Sequence, residues 1–209
     1  MKVIGEFSEA ATKTPLCIED QTYSALWEAD SGYVEVPGLS EYRVRVDDAQ
    51  GVAVVFMRWL VADLATTGNK DGLLEALASH SPDGADWAAC LARNCEDCAR
   101  AFTEGGAVAL LALIAAAPEY IGHGVGTPLA RAFAQTVLAP RGVRAMWIKP
   151  VPLTENAETG IFKPMIDPRS PGFDAAADRL KKHYERSLHA AGACPDYLRA
   201  DLLPPEKPR

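Results

Sequence analysis

The 209-residue sequence predicts a single α/β domain built on a mixed sheet. Three observations carry that prediction. Tyr33 to Val46 holds two runs, Y-V-E-V and Y-R-V-R-V, which alternate with period two about a Pro-Gly turn and read as two short strands. Residues 107–148 read strand, helix, strand, the crossover unit of a parallel pair. An amphipathic helix and a last short apolar run follow. The composition agrees, since 48% hydrophobic and 23% charged residues in a chain of this length suffice for one substantial core.

Taken in order, residues 1–32 are mixed and carry no assignment. After the two strands, Asp47 to Gln50 has the pattern D-x-x-Q before an apolar run, a helix-start signature. Val52 to Ala65 is nearly all apolar and closes at Gly68-Asn69. It reads as a buried helix, with Val52 to Met57 as the second arm of a hairpin the alternative. Gly72 to Ser79 reads as a short helix and Ala85 to Thr103 as a longer one, where Trp87, Leu91, Cys95, Cys98 and Phe102 fall at helical spacing before Gly105-Gly106. Ala107 to Ala117 is eleven apolar residues. Its alanines would suit a helix. The glycines before it, Pro118 after it and its length favour a strand buried on both faces. Thr127 serves as N-cap with Pro128 at the first helical position. Leu129, Ala132, Phe133 and Val137 then make one stripe. Pro140 and Gly142 break the chain before a strand at Val143 to Ile148. Residues 149–173, rich in Pro and Gly, read as an exposed loop. Asp174 caps the last helix, on which Ala177, Leu180, Tyr184, Leu188 and Ala191 share a face. Its Asp178 sits near the start and Lys181, Lys182 and Arg186 further on, as the macrodipole favours. Asp196 to Leu203 reads as a last strand, and the tail 204–209 is expected to fray.

A net charge of −7 and a pI near 5.1 disfavour a nucleic-acid partner bound through bulk charge. No apolar stretch reaches the ~18–20 residues that span a bilayer, so no membrane partner is expected. The N-terminus lacks the apolar core of a secretory signal. Five cysteines, three of them in one helical segment, suit a reduced, cytoplasmic protein. Cys95-x-x-Cys98, with Cys90 and an upstream His80, matches half of a zinc site. Helical spacing accounts for Cys95 and Cys98 as core positions and no second pair follows, so no metal is expected.

The most specific segment is Tyr120 to Leu129, Y-I-G-H-G-V-G-T-P-L. Gly122, Gly124 and Gly126 alternate where a strand gives way to a helix. A backbone without Cβ approaches a ligand closely, and the first amides of a helix have no internal partner and carry partial positive charge. The arrangement is a phosphate site. It is not a dinucleotide fingerprint, because Thr127 occupies the third glycine's place and the next strand ends Ile148-Lys149 without an acid. It is not a Walker loop, because no Gly-Lys-Ser/Thr ending is present.

P-E-Y-I-G-H-G-V-G-T-P-L-A resembles the signature of the GNAT acyltransferase superfamily: an apolar strand, a proline, a glycine loop and a helix. The strand M-W-I-K-P-V-P-L and the helix bearing Tyr184 follow in the family's order, and the resemblance covers residues 105–203. It implies one GNAT-like domain over 1–209, with 1–104 a divergent acceptor-side half, and a mostly antiparallel sheet splayed at the 107–117 strand with helices on both faces. It also implies acetyl-CoA or another acyl-CoA as donor, and acyl transfer to a primary amine within a ternary complex. Backbone groups at Ala115, Ala116 and Ala117 would pair with the pantetheine arm. The amides of Ile121, Gly122, His123, Gly124, Val125, Gly126 and Thr127 would hold the pyrophosphate, and Tyr184 would be the acid. Ile121 stands where the family usually has Arg or Gln, and Leu188-His189 replaces its Gly-Phe.

Acyl transfer needs a neutral amine, a polarised thioester carbonyl and a protonated leaving thiolate. A phenol can protonate a thiolate, although Tyr184 also suits an apolar helix face. The strand 107–117 holds no carboxylate. Glu104 and Glu119 flank it, as a base acting through water or as solvated surface groups. His123 could add a donor to the loop or face solvent. His183 and His189 read as surface residues. Tyr23, Trp27, Tyr33 and Trp59 read as acceptor-pocket or core aromatics. The competing function is a catalytically degenerate binding or regulatory protein of the same fold. An acyltransferase of aminoacyl-tRNA is a further alternative that the acidic chain disfavours. A homodimer is left open.

Overall fold

The structure is a computed structural model that describes residues 7–8, 10–30, 38–63, 70–93, 96, 100, 106–155, 162–164, 169, 171–194 and 196–202. Four strands open the chain: β1 (Thr12–Ile18), β2 (Gln21–Asp30), β3 (Leu39–Asp47) and β4 (Ala53–Asp63). Helices α1 (Lys70–His80) and α2 (Pro82–Ala92) lead to β5 (Ala107–Ala116). Helix α3 (Gly126–Phe133), lengthened by a π turn at Ala134–Leu138, crosses to β6 (Val143–Ile148). A two-stranded ribbon, β7 (Leu153–Glu155) with β8 (Phe162–Pro164), precedes α4 (Pro171–Ser187), and β9 (Ala191–Cys194) and β10 (Tyr197–Asp201) end the fold.

The main sheet has eight strands in the order β1-β2-β3-β4-β5-β6-β10-β9. Every neighbouring pair is antiparallel except β5 and β6, the pair joined by the α3 crossover. The mixed, mostly antiparallel α/β architecture is therefore present.

Two apolar clusters cover the two sheet faces. One gathers Trp27, Trp59, Leu129, Phe133, Met146 and Tyr184 between the sheet and α3 and α4. The other gathers Leu60, Leu73, Leu77, Trp87, Ala145 and Trp147 between the sheet and α1 and α2. Strands β4 and β6 feed both clusters, so their residues are buried continuously rather than alternately. This corrects the reading of Val52 to Ala65 as a helix. Its Val54, Val55, Phe56, Trp59, Leu60 and Val61 belong to β4, as in the hairpin alternative, and residues 64–65 lie outside the described residues. Asp48 caps a turn instead of a helix: its Oδ1 accepts from the amides of Gln50 and Val52, each at 2.9 Å.

Other boundaries move for local reasons. Ser81 caps α2 by accepting from the Gly84 amide at 3.1 Å, with Pro82 following. Gly84 is required there, because an added Cβ would lie 2.3 Å from the Leu77 carbonyl oxygen of α1. The described part of α2 ends at Ala92 rather than continuing unbroken to Thr103. The final helix begins at Pro171, before Asp174, and stops at Ser187, which places Ala191 in β9. The 149–173 segment contains the β7–β8 ribbon. The expected strand at Tyr33 to Val36, Cys95, Cys98, Phe102, Glu104 and the tail 204–209 lie outside the described residues. Cys90 is buried and disulfide-bonded, against the expectation of reduced thiols, whereas Cys17 is free. No helix among the described residues is long and apolar enough to cross a membrane.

Candidate functional site

The site begins where β5 outruns its parallel partner. Strand β6 pairs with β5 only up to Leu111↔Ile148, whereas β4 stays on β5 through Val55↔Ala116. Beyond Leu111, the edge of β5 that faced β6 has no strand on it among the described residues. The Ala117 amide donates to the Val54 carbonyl at 2.8 Å. By the alternation of an antiparallel ladder, Ala115 and Leu113 then turn their main chain to β4, and Ile114 and Ala116 turn theirs to the open edge. Ala117 is fully engaged, because its carbonyl accepts from the Tyr120 amide at 2.8 Å. Of the three alanines proposed to meet a ligand, only Ala116 offers free main-chain groups at that edge. Ile114 joins it and was missed. The register also shifts between Arg58 and Trp59, which leaves Ala112 as an extra residue of β5 at a bulge.

A cavity of about 450 Å³ fills the fork. Leu111 to Ile114 of β5 and Ile148 of β6 form its floor, and α4 closes one side. Its polar groups are Lys149, Arg179, His183 and Tyr184. Tyr184 is 6% exposed, and burial alone pushes its phenol well above the ordinary tyrosine range. Arg179 and His183 are four residues apart, so both stand on the α4 flank that looks into the fork. His183, expected at the surface, lines the cavity and meets the Thr127 hydroxyl at 3.2 Å through Nε2. His189, by contrast, is exposed.

The loop after β5 runs alongside. A 3₁₀ turn at Pro118–Tyr120 is followed by Gly122 at φ +83° and Gly124 at φ +71°, backbone states that favour glycine. Within the turn, the amides of Ile121 and His123 bond to the carbonyls of Pro118 and Tyr120. The amides of Gly122, Gly124, Val125, Gly126 and Thr127 have no acceptor among the described residues. Unfilled amides beside left-handed residues at a helix start are the groups from which an anion nest is built. Helix α3 starts at Gly126, and Val125 accepts its first bond from Leu129 at 3.1 Å. Thr127 is therefore not the N-cap. It is buried within the first turn, and its hydroxyl is used across to His183. A Cβ on Gly126 would lie 3.4 Å from Ile114 Cδ1, so the helix start is seated against the cavity floor.

The loop is braced from outside the fork. The Tyr120 hydroxyl donates to Asp48 Oδ2 at 2.7 Å, which lowers the Asp48 carboxyl pKa and raises that of the phenol. A second cavity, about 480 Å³, lies at this brace and is lined by Asp20, Tyr23, Asp48 and Tyr120.

Glu119 is exposed and does not line the fork cavity. Ile121 is 68% exposed. His123 is exposed with its ring against Tyr120, centroids 6.1 Å apart. Tyr23, Trp27 and Trp59 pack in the core. Lys149 was missed. It directly follows the strand Val143–Ile148, the position where a strand end delivers a side chain to a site. Among the described residues, no group of three His, Cys, Asp or Glu side chains is placed to hold a metal.

The fork thus joins an unpaired strand edge and a protonated phenol at one cavity. The loop 121–127 does not line that cavity but touches its wall through Gly126 against Ile114 and Thr127 on His183. That combination suits an extended ligand carrying both an anion and a hydrogen-bonding chain. Comparison with family models, curated proteins and solved structures finds no match to this chain.

Proposed function

We propose that the chain is an acyl-CoA-dependent N-acyltransferase of GNAT type, using acetyl-CoA to acylate a primary amine by direct transfer. The supporting observation is the unpaired edge of β5 at a cavity, followed by a loop with five unfilled amides whose helix start touches the lining residue Ile114. In this reading the amides of Gly122 and of residues 124–127 hold the diphosphate, and the acidity of the chain is no obstacle because backbone dipoles supply the charge stabilisation. The pantetheine arm completes the sheet along Ile114 and Ala116. The thioester then lies by the bulge at Ala112, where a main-chain amide freed from the ladder can bond the carbonyl oxygen as it gains charge. The neutral amine attacks the carbonyl carbon and gives up a proton to water, the C–S bond breaks, and the Tyr184 phenol protonates the departing thiolate and is reprotonated from water. Glu119 has no part in this scheme, because it is outside the cavity.

A catalytically degenerate binding protein is the second reading. No carboxylate among the described residues lines the cavity, and Ile121 supplies the loop no positive charge. Calorimetric titration with acetyl-CoA tests what the two readings share. Saturable binding is expected, and none at millimolar donor would remove both. Gly124→Val, which forces a β-branched residue into a left-handed position, is expected to weaken binding about tenfold or more, equivalent to about 1.4 kcal/mol. Thiol release with a panel of amines then separates an enzyme from a binder.

A further inference from the structure

The cavity is bordered by a residue that carries a primary amine. Lys149 is the lysine among the described residues that line it. It follows Ile148, the last residue of β6 to pair with β5, so its backbone stands at the crotch of the fork. Its Nζ lies 2.6 Å from Asp86 Oδ2 of α2 and 5.8 Å from the centre of the Tyr197 ring. A carboxylate and an aromatic face are the groups that hold an alkylammonium. Tyr184 borders the same cavity. Lys181 and Lys182, also near Tyr184 in sequence, are exposed and do not line it.

We infer that Lys149 is a self-acylation site. The inference rests on the acyl-thioester donor proposed above. The Lys149 ammonium passes a proton to Asp86 and on to water, and its freed lone pair attacks the thioester carbonyl. The Nζ–C bond forms and the C–S bond breaks. The thiolate takes the Tyr184 proton, which water restores. One lysine ammonium and one thioester thus give one amide, one free thiol and one proton. The product has lost its positive charge, so the ion pair with Asp86 is gone and a carboxylate is released beside the cavity.

Incubation with acetyl-CoA and no added amine, followed by proteolysis and mass spectrometry, tests this. The expected result is one acetyl group on the Lys149 peptide, appearing ahead of any on Lys181 or Lys182 and in step with thiol release. Lys149→Arg, which keeps the charge opposite Asp86, is expected to abolish the early thiol release while melting as the wild type does. Asp86→Asn is expected to slow it. The wild-type peptide map is decisive even if a variant misfolds. Donor binding by calorimetry with no preference for Lys149 overturns the inference and leaves the donor reading standing. No donor binding at all removes the donor reading, and this inference with it.

Discussion

Replacing Tyr184 by Phe is expected to lower the rate of amine-dependent thiol release by ~10²-fold or more while leaving acetyl-CoA affinity within about twofold of wild type. The ring contributes to the apolar cluster under α4 and is kept by Phe. Only the hydroxyl is removed, and the donor's anchoring lies elsewhere, in the amides of Gly122 and residues 124–127 and the edge of β5. Loss of a group that acts on the leaving thiolate alone lowers turnover without changing ground-state binding. The pH profile gives a second readout. Burial holds the Tyr184 phenol above the ordinary tyrosine range, so its protonated form persists throughout the physiological range. The wild type should therefore show no loss of rate from this acid below pH about 10, the unperturbed tyrosine value. Unchanged turnover in Tyr184→Phe would leave the tyrosine a core residue and put the acid elsewhere, whereas no turnover in the wild type would favour the non-catalytic reading.

What was legible in the sequence and what was not divides along physical lines. The crossover from 107 to 148 was readable because its punctuation is local: Gly106 and Pro118 bound the strand, and Gly142 adopts the left-handed state that ends the helical segment. The glycine loop was readable for the same reason. Strand β4 was not, because burial on both faces erases the period-two signal, and Asp48 presents the same side-chain acceptor to a turn that it would present to a helix. Strand β2 carried alternation at Tyr23, Ala25 and Trp27, all buried, but paired with a β1 in which only Leu16 is buried, the first hairpin was easy to overlook. The polar wall of the cavity was hidden more deeply. His183 and Thr127 are 56 positions apart, and Lys149 and Asp86 are 63 apart. No spacing rule connects them, and only the packing of α4 and α2 on opposite sides of the fork brings each pair together.

The largest stability loss is expected from Phe133→Ala. Phe133 is fully buried at the last residue of α3, stacked on Trp59 with centroids 6.1 Å apart and edge-on to Trp27 at 6.3 Å. Removing the ring forfeits its transfer energy and leaves a cavity that two rigid indoles fill poorly. The expected cost is about 3–5 kcal/mol. For a domain of this size that lowers the thermal midpoint by on the order of 10 °C. Val52→Ala makes the control. Val52 is 49% exposed, and the same kind of truncation there should change stability by less than about 0.5 kcal/mol. Calorimetric melting of both variants checks the pair. The effect should extend to the site, because Phe133 anchors the far end of the short helix whose first turn carries the unfilled amides. Below its melting transition, Phe133→Ala should therefore still bind acetyl-CoA, but with added donor raising its midpoint less than it raises that of wild type. A full wild-type shift in the variant would mean that the amide nest holds its shape without the aromatic cluster beneath it. The rigidity of the loop would then have to come from the Tyr120–Asp48 brace and the Gly126–Ile114 contact alone.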